Sequence, residues 1–184
     1  IMRGGVFATG TRLDRDDLRA FIAQRHRPLA ATLAATLERW PAQIERDDAI
    51  EAVRAAGGAH AERLVLGYLP LTFSRRHGDP SRPWNKFNIR VRDESGHRVI
   101  NHEGNWRDIF QNWEGLLPSE PAYAGSMIEA FVGAMTPDGY NPYRIGRRGI
   151  DWAVIEHENP WSHIGYWGDH QVVYLLRLLE AAQA

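Results

Sequence analysis

Cysteine is absent from this 184-residue chain, which excludes a disulfide framework, a thiol nucleophile and a thiolate metal site. An excess of one charge is also missing: 22 basic and 23 acidic side chains give a formal net charge of −1, which disfavours a nucleic-acid binder. No apolar run approaches the roughly 20 residues needed to cross a bilayer, and no signal peptide is visible. We therefore expect a cytoplasmic protein with no nucleic-acid partner and no membrane partner.

The hydrophobic content of 43% and the charged content of 24% are typical of a globular protein, and they predict a single domain over 1–184. Tryptophan is distributed unevenly, because only Trp40 lies before residue 84 and the other six lie after residue 83. We therefore expect any chemistry to lie in the second part of the chain.

The first third of the chain has the patterns of short helices. Asp14 can cap a helix that runs to about His26, and Pro28 can start a second helix. Residues 46–56 and 59–67 predict two more, separated by a Gly-Gly pair. Because these segments carry apolar residues at helical spacing, they predict a helical core.

The middle of the chain changes character. Residues 70–86 contain three prolines and many polar side chains, which predicts a long irregular loop. Apolar and polar residues then alternate, and a turn follows at 93–96, which predicts one β-hairpin near 87–101.

The last part returns to helices. Asn105 can open a helix to about Leu116, and Ser119 can cap the next one. Residues 136–167 predict a second loop-rich region, and Gly168-Asp169 starts the last helix. The whole pattern predicts a mainly α fold in which helical hairpins place their loops at one end.

Three segments, 75–88, 103–114 and 138–170, place aromatic side chains beside polar ones. On the helix from Asn105, one face carries an arginine, an amide and a carboxylate in line. The candidate catalytic residues are Asp108, Glu114 and Asp169. The candidate substrate-binding residues are Arg76, Arg82, Trp84, Arg107, Gln111, Tyr140, Asn141, Arg144, Trp161, Trp167 and His170.

Each of these residues also has an ordinary structural interpretation. Asp108 and Asp169 can act as helix caps, Glu114 can be a solvated helix residue, and the tryptophans can belong to the core. His157 lies between two glutamates, but no second spaced motif accompanies it, so we expect no metal and no cofactor.

Sugar recognition fits this mixture of side chains. A pyranose has an apolar face that stacks on an indole or phenol ring, and its rim of hydroxyls takes hydrogen bonds from carboxylates, amides and arginines. Cleavage of a glycosidic bond needs a carboxylic acid at the leaving oxygen and a second group opposite it. The sequence therefore predicts a carbohydrate-active domain.

Four stretches carry a resemblance to a known superfamily: LPLTFSRRHGDPSRPWNKFNI (69–89), GNWRDIFQNWE (104–114), DGYNPYRI (138–145) and NPWSHIGYWGDHQVVYLLRLLE (159–180). They resemble large bacterial proteins that are similar to the six-hairpin glycosidases. Arg107 to Leu116 is similar to the Arg-Asp-x-x-Gln-Asp helix of cellobiose-phosphorylase and cyclic-glucan-synthase type enzymes. Residues 165–176 are similar to their Asp-Asp-x-x-Trp-Leu helix start, with His170 at the second aspartate.

The resemblance implies an (α/α)6 toroid and glycoside hydrolysis or phosphorolysis. A full toroid needs twelve helices and this sequence predicts about seven, so we expect a C-terminal slice whose partner is the remainder of a larger polypeptide. The Gly-Asp-Trp-Asn-Asp motif that carries the general acid in the phosphorylase-type enzymes is absent. The carboxylates opposite the candidate catalytic residues could therefore lie in the remainder of that larger polypeptide.

We expect the candidate residues to line one cleft, with Trp84 or Trp161 at its edge. The proton donor would be Glu114 or Asp108, desolvated by Trp106 and Trp113, while Asp169 stays ionised. The loop 75–86 would fold over the start of the helix at Asn105, so that Arg76 or Arg82 pairs with a carboxylate. The competing hypotheses are a catalytically silent carbohydrate-binding domain and a helical protein-interaction domain.

Overall fold

The structure, a computed structural model, describes residues 7–72, 92–153, 157, 166–167 and 171–183. These residues form six α-helices: α1 (Arg15–Arg25), α2 (Arg27–Glu38), α3 (Arg46–Leu66), α4 (Trp106–Glu114), α5 (Ala124–Ala134) and α6 (Gln171–Gln183). They also form seven short strands: β1 (Arg12–Asp14), β2 (Gln43–Glu45), β3 (Glu103–Asn105), β4 (Tyr140–Asn141), β5 (Arg144–Gly146), β6 (Gly149–Asp151) and β7 (Tyr166–Trp167). The fold is mainly α with small antiparallel sheets, which confirms the predicted class at that level.

The helices begin and break where the sequence predicts. Asp14 caps α1, because its carboxylate accepts a hydrogen bond of 2.8 Å from the backbone N–H of Asp17. Proline occupies the first turn of α2. Gly58 has φ 70° and ψ −167°, a conformation that only glycine adopts readily, so α3 consists of two helices joined at a kink.

Two other helix starts differ from the prediction in detail. Asn105 does occupy the N-cap position of α4, but its side chain makes no capping hydrogen bond. Ahead of α5, a 3-10 turn spans Pro121–Tyr123, and Glu120 rather than Ser119 precedes it. Helix ends often tighten into such turns, which sequence patterns locate to within only a few residues.

The β structure is more extensive than one hairpin. Strands β1 and β2 pair antiparallel, β4 pairs with β7, and β3, β5 and β6 form a three-stranded antiparallel sheet in the order β3–β5–β6. The prediction that 136–167 is loop-rich is corrected here, because β4, β5, β6 and β7 all lie in it. Strands of two or three residues are too short to show a period-two pattern.

The predicted hairpin near 87–101 is only partly testable. Arg92 and Arg98 form an isolated antiparallel bridge around a turn, and the Asp93 amide donates to the His97 carbonyl at 2.9 Å. The first predicted strand, 87–91, lies outside the described residues. The predicted return strand does not form at 99–102; instead β3 follows and pairs with β5.

Two apolar cores hold these elements together. One lies among α1, α2 and α3, and the other lies among α4, α5, α6 and the β3–β5–β6 sheet. Trp106 and Trp113 are fully buried in the second core, and the ring of Phe110 lies 4.7 and 5.2 Å from them. Since each indole buries about 150–250 Å², each contributes about 4–6 kcal/mol of transfer free energy as an upper bound.

Among the described residues, no helix combines the length and apolar character that crossing a membrane requires.

Candidate functional site

Several predicted site residues cannot be compared with the structure. Arg76, Arg82, Trp84, Trp161, Asp169 and His170 lie outside the described residues, and so does the loop 75–86. Of Arg107 and Trp167, only the backbone is described. The roles predicted for these residues remain predictions.

Asp108 and Glu114 occupy opposite ends of α4. Asp108 is buried in the first turn, with 7% of its surface exposed, whereas Glu114 is the last residue and pairs with Arg177 of α6 at 2.7 Å. Helix geometry separates their Cα atoms by about 9 Å along the axis and by about 120° around it. The two carboxylates therefore differ in surroundings, and their shared role in one cleft stays a prediction.

The two tryptophans that were expected to desolvate these carboxylates are fully buried in the core. Trp106 and Trp113 face the core, and their rings contact Phe110. Gln111, on the same helix, is half-buried.

The β-strand pairings bring another part of the predicted set together. Asn105 lies opposite Arg144 in the β3–β5 pairing, and the amide of Trp106 donates to the Tyr143 carbonyl at 3.0 Å. On the β4–β7 pair, Tyr140 and Asn141 lie opposite Trp167 and Tyr166. The start of α4 and the strands at 140–146 are therefore neighbours, as the one-cleft prediction requires.

A cavity of about 710 Å³ lies over one face of the three-stranded sheet. Cross-strand partners in an antiparallel sheet share a face and neighbours alternate, so Gly104, Ile145 and Ile150 lie on one face. The opposite face carries charged residues, one from each strand, and these three line the cavity: Glu103, Arg144 and Asp151. We call this surface the polar sheet face.

The cavity is completed by the turn between β5 and β6 and by α1. Arg147 and Arg148 line it from the turn, and Ala20 and Gln24 line it from α1. Among the described members of the predicted set, Arg144 alone lines this cavity. Glu103, Asp151 and the two turn arginines were not predicted.

An ion pair anchors the turn to the first core. Arg147 donates to the Asp17 carboxylate at 2.8 Å, and the hydroxyl of Tyr68 donates to the same carboxylate. The Arg147 guanidinium lies over the rings of Tyr68 and Phe21, 5.6 and 5.8 Å from their centroids. Burial, followed by the nearby Asp17 charge, raises the pKa of the Tyr68 hydroxyl, so it stays a proton donor to Asp17.

A second arginine fixes the backbone of the same turn. The Arg25 guanidinium donates to the carbonyl of Gly146 at 3.1 Å and to the carbonyl of Arg147 at 2.8 Å. Charge-assisted hydrogen bonds of this kind are the stronger ones in proteins. The turn that carries Arg147 and Arg148 is therefore fixed by these hydrogen bonds and by the ion pair with Asp17.

His102 lies immediately before β3 and also lines the cavity. It is 5% exposed, its ring is 5.6 Å from Trp113, and its Nδ1 atom has no hydrogen-bond partner among the residues that the structure describes. Burial lowers the pKa of His102 to about 3, and the positive charges of Arg147 and Arg25 act in the same direction. The imidazole is therefore neutral near pH 7. Its other ring nitrogen is hydrogen-bonded to the backbone of Leu69 and carries the proton, which leaves Nδ1 as an acceptor.

Two aromatic rings stack beside this region. The rings of Tyr140 and Trp152 are 5.8 Å apart and nearly parallel, with an interplanar angle of 7°. Trp152 is 40% exposed and directly follows Asp151, which lines the cavity. Tyr140 was a predicted substrate-binding residue, whereas Trp152 was not.

The residues missed by sequence reasoning share one cause. Glu103 and His102 meet Arg144 and Arg147 only through the β3–β5 pairing, which joins segments about 40 residues apart. The available signal was the Gly-Arg-Arg-Gly sequence at 146–149, which has the composition of a hairpin turn. Its flanking strands are too short to show alternation.

The described part of the chain contains no group of three histidine, aspartate or glutamate side chains placed to hold a metal ion. Compared with known proteins, the chain matches no family model, and a search of the curated proteins finds no match.

Proposed function

We propose that this chain is a carbohydrate-active domain that binds an oligosaccharide across the polar sheet face. One observation carries the proposal: a cavity of about 710 Å³ is lined by charged side chains from three adjacent strands, and a half-exposed indole directly follows one of them. Small-molecule sites have volumes of about 300–1,000 Å³. The cavity can therefore hold a few sugar rings.

The chemistry of the lining suits a sugar. Arg144 presents hydrogen-bond donors, while Glu103 and Asp151 present acceptors, so hydroxyls of the ligand can be bound in both directions. Tyr140 and Trp152 stack on each other outside the cavity lining, and the half-exposed Trp152 indole, next to Asp151, would extend the site to one face of a pyranose. This arrangement replaces the pair Asp108 and Glu114 as the proposed site.

Cleavage of a glycosidic bond is the second part of the proposal, and Glu103 and Asp151 are its carboxylates. They lie on the outer strands, one on each side of β5. Two strand spacings and a two-residue offset in register put their Cα atoms about 12 Å apart. That spacing allows carboxyl separations of about 6.5–9.5 Å, typical of inverting enzymes, rather than the roughly 5 Å of retaining ones.

We infer that the helices form part of an α/α toroid, with the remainder supplied by a larger polypeptide. The packing of α1 on α2, α2 on α3, and α6 on both α4 and α5 supports helical hairpins as the building unit. The resemblance of the sequence to six-hairpin glycosidases supports it independently.

The experiment is a calorimetric binding screen with cellotetraose, maltotetraose and laminaritetraose. We expect at least one to bind, Arg144→Gln and Trp152→Ala each to weaken that binding about tenfold, and Arg39→Gln to leave it unchanged. Arg39 is exposed and lies outside the cavity lining, so it matches the charge change alone. If none of the three sugars binds, or if neither site variant weakens binding, the proposed site is wrong.

Turnover is measured separately with the sugar that binds. Release of reducing ends without added phosphate indicates hydrolysis, and release that requires inorganic phosphate indicates phosphorolysis. Glu103→Gln and Asp151→Asn are each expected to abolish release while leaving sugar binding within about threefold. Binding without turnover by the native chain would indicate the catalytically silent carbohydrate-binding domain.

A helical protein-interaction domain is the second candidate, and α6 carries the observation that favours it. Its buried face includes Leu178, yet its outer face is apolar as well, with about half of the surface exposed at Val172, Val173, Leu176 and Leu179. The spacing of 172, 176 and 179 is that of a coiled-coil seam, which fits pairing with a second copy of this chain.

The exposed apolar stripe of α6, formed by these four side chains, is too small to make the protein-interaction function the first candidate. Each half-exposed side chain would bury about 50 Å², so the two stripes of a dimer would bury about 400 Å². A stable interface needs about 1,200 Å² or more. If light scattering at 100 μM shows a monomer, the protein-interaction function is wrong and the carbohydrate function stands. A dimer that Leu176→Glu dissociates would support the second candidate.

A further inference from the structure

A second, smaller cavity of about 210 Å³ lies on the other side of the sheet. Its walls come from α1, the end of α3, α5 and the apolar sheet face, including Ile145 and Ile150. The charged residues that line it are Arg25, Arg63 and Glu129, and His102 lines it together with the larger cavity. We call it the inner cavity.

Glu129 occupies a place that two glycines leave open. A Cβ atom at Gly67 would come within 2.5 Å of one Glu129 carboxylate oxygen, and one at Gly133 within 2.8 Å of the other. Arg63 donates to the same carboxylate at 3.3 Å. The cavity wall is therefore built around a fixed carboxylate whose charge is offset by one arginine.

Arg25 is the second cation of the inner cavity. Its Nε and Nη2 atoms donate to the carbonyls of the β5–β6 turn, which fixes the guanidinium at the cavity wall. The Nη1 atom takes no part in these bonds, and it is the atom to which we assign the ligand. With Arg63 and Glu129 offsetting each other, Arg25 leaves the cavity with one net positive charge, which favours an anion.

His102 points to a ligand that also carries a hydroxyl. Its side chain is more than nine-tenths buried, it lines the cavity, and its Nδ1 atom has no hydrogen-bond partner in the described part of the chain. A buried polar atom left without a partner destabilises the protein, and a ligand hydroxyl that donates to it would remove that cost. Carboxylate and phosphate groups cannot do so, because their ionised oxygens only accept.

We propose that the inner cavity binds a small organic anion bearing at least one hydroxyl group, with the anionic group on Arg25 and the hydroxyl on His102 Nδ1. The volume of about 210 Å³ corresponds to about seven water molecules at roughly 30 Å³ each. A three-carbon hydroxy acid or polyol phosphate is of that size. This site lies in a different cavity from the proposed carbohydrate site, although His102 lines both, and it goes beyond that function.

The test is a nuclear magnetic resonance titration of the chain labelled with ¹⁵N-histidine. The probes are D-glycerate and glycerol 3-phosphate, which distinguish a carboxylate from a phosphate. Glycerol, which lacks the charge, and acetate, which lacks the hydroxyl, are the matched controls. We expect at least one probe anion to saturate the chain, to shift the His102 Nδ1 resonance, and to bind at least tenfold more tightly than either control.

Variants then assign the contacts. Arg25→Gln is expected to weaken binding of that anion about tenfold, whereas the exposed Arg39→Gln leaves it unchanged. Glu129→Gln removes the negative charge without changing the shape and is expected to tighten binding severalfold. Because Glu129→Gln keeps the shape of the cavity, the measurement on this variant still tests the proposal if Arg25→Gln folds poorly.

Three results would overturn the inference: no saturable binding of either anion by the native chain, binding that leaves the His102 Nδ1 resonance in place, or weaker binding by Glu129→Gln. The probes are small anions, whereas the carbohydrate proposal is tested with neutral oligosaccharides. Failure of one proposal is therefore read independently of the other.

Discussion

The ion pair between Asp17 and Arg147 joins α1 to the turn between β5 and β6, in addition to the hydrogen bonds that Arg25 of α1 donates to the backbone of that turn. The Asp17 side chain is 25% exposed and the Arg147 side chain 11% exposed, at a distance of 2.8 Å. The substitution Asp17→Asn keeps the shape and removes the charge. It leaves a largely buried guanidinium without its counter-ion.

The expected cost follows from that burial. Breaking a buried ion pair by removing one partner costs about 3–5 kcal/mol, and we reduce this to about 2–3 kcal/mol because a quarter of the Asp17 side chain contacts water. Arg147→Met should cost about as much. The double variant should be more stable than the sum of the two losses by about 2 kcal/mol, because it leaves no uncompensated charge.

Urea unfolding of the four proteins of this double-mutant cycle measures the coupling free energy. A loss of 2–3 kcal/mol corresponds to a fall in the melting temperature of roughly 4–12 °C for a chain of this size. A coupling free energy below about 0.5 kcal/mol, with single losses below about 1 kcal/mol, would refute the reasoning. The turn would then be held by its backbone hydrogen bonds to Arg25 and by packing.

Three further predictions concern stability. Gly58→Ala should lower the free energy of unfolding by about 1–3 kcal/mol, because the positive φ of residue 58 strains any side chain, even though no atom lies within 4 Å of an added Cβ. As the control, Gly125→Ala lies in an open helical position and should raise the free energy of unfolding by up to about 1 kcal/mol. The folded-state pKa of His102, about 3, lies below its unfolded value of about 6.5, so stability should fall as pH drops from 6.5 towards 3. Between pH 7 and pH 5 the native chain should lose about 2 kcal/mol more than His102→Gln, and equal losses in urea unfolding would contradict a buried neutral imidazole. Trp113→Ala should cost about 3–5 kcal/mol in the same assay, since the indole is fully buried, and a cost below about 1 kcal/mol would place it outside the core.

Local signals were sufficient for the helices. The Asp14 cap, the proline at the start of α2 and the break at Gly58 each act through neighbouring residues, and the structure shows all three. The strands depend on partners that are distant in sequence. Nothing local marks Glu103–Asn105 as a strand, because its partner Arg144–Gly146 lies about 40 residues away.

The candidate site follows the same division. Arg144 and Tyr140 were predicted because they lie in a polar segment rich in aromatic residues. The structure places Arg144 on the polar sheet face, whereas Tyr140 lies outside the cavity lining and stacks on Trp152. Glu103, Asp151 and His102 were not predicted, since they join the site only when the short strands pair. Trp106 and Trp113 also lie beside polar residues in sequence, but helical periodicity turns them into the core.

The most direct test of the carbohydrate site is amide chemical-shift mapping with the oligosaccharide that binds. The account predicts the largest changes at Glu103–Asn105, at residues 144–151 and at the Trp152 indole N–H, with no change along the exposed face of α2. Changes concentrated on the outer face of α6, or on α4 near Glu114 with the three-stranded sheet unaffected, would contradict it.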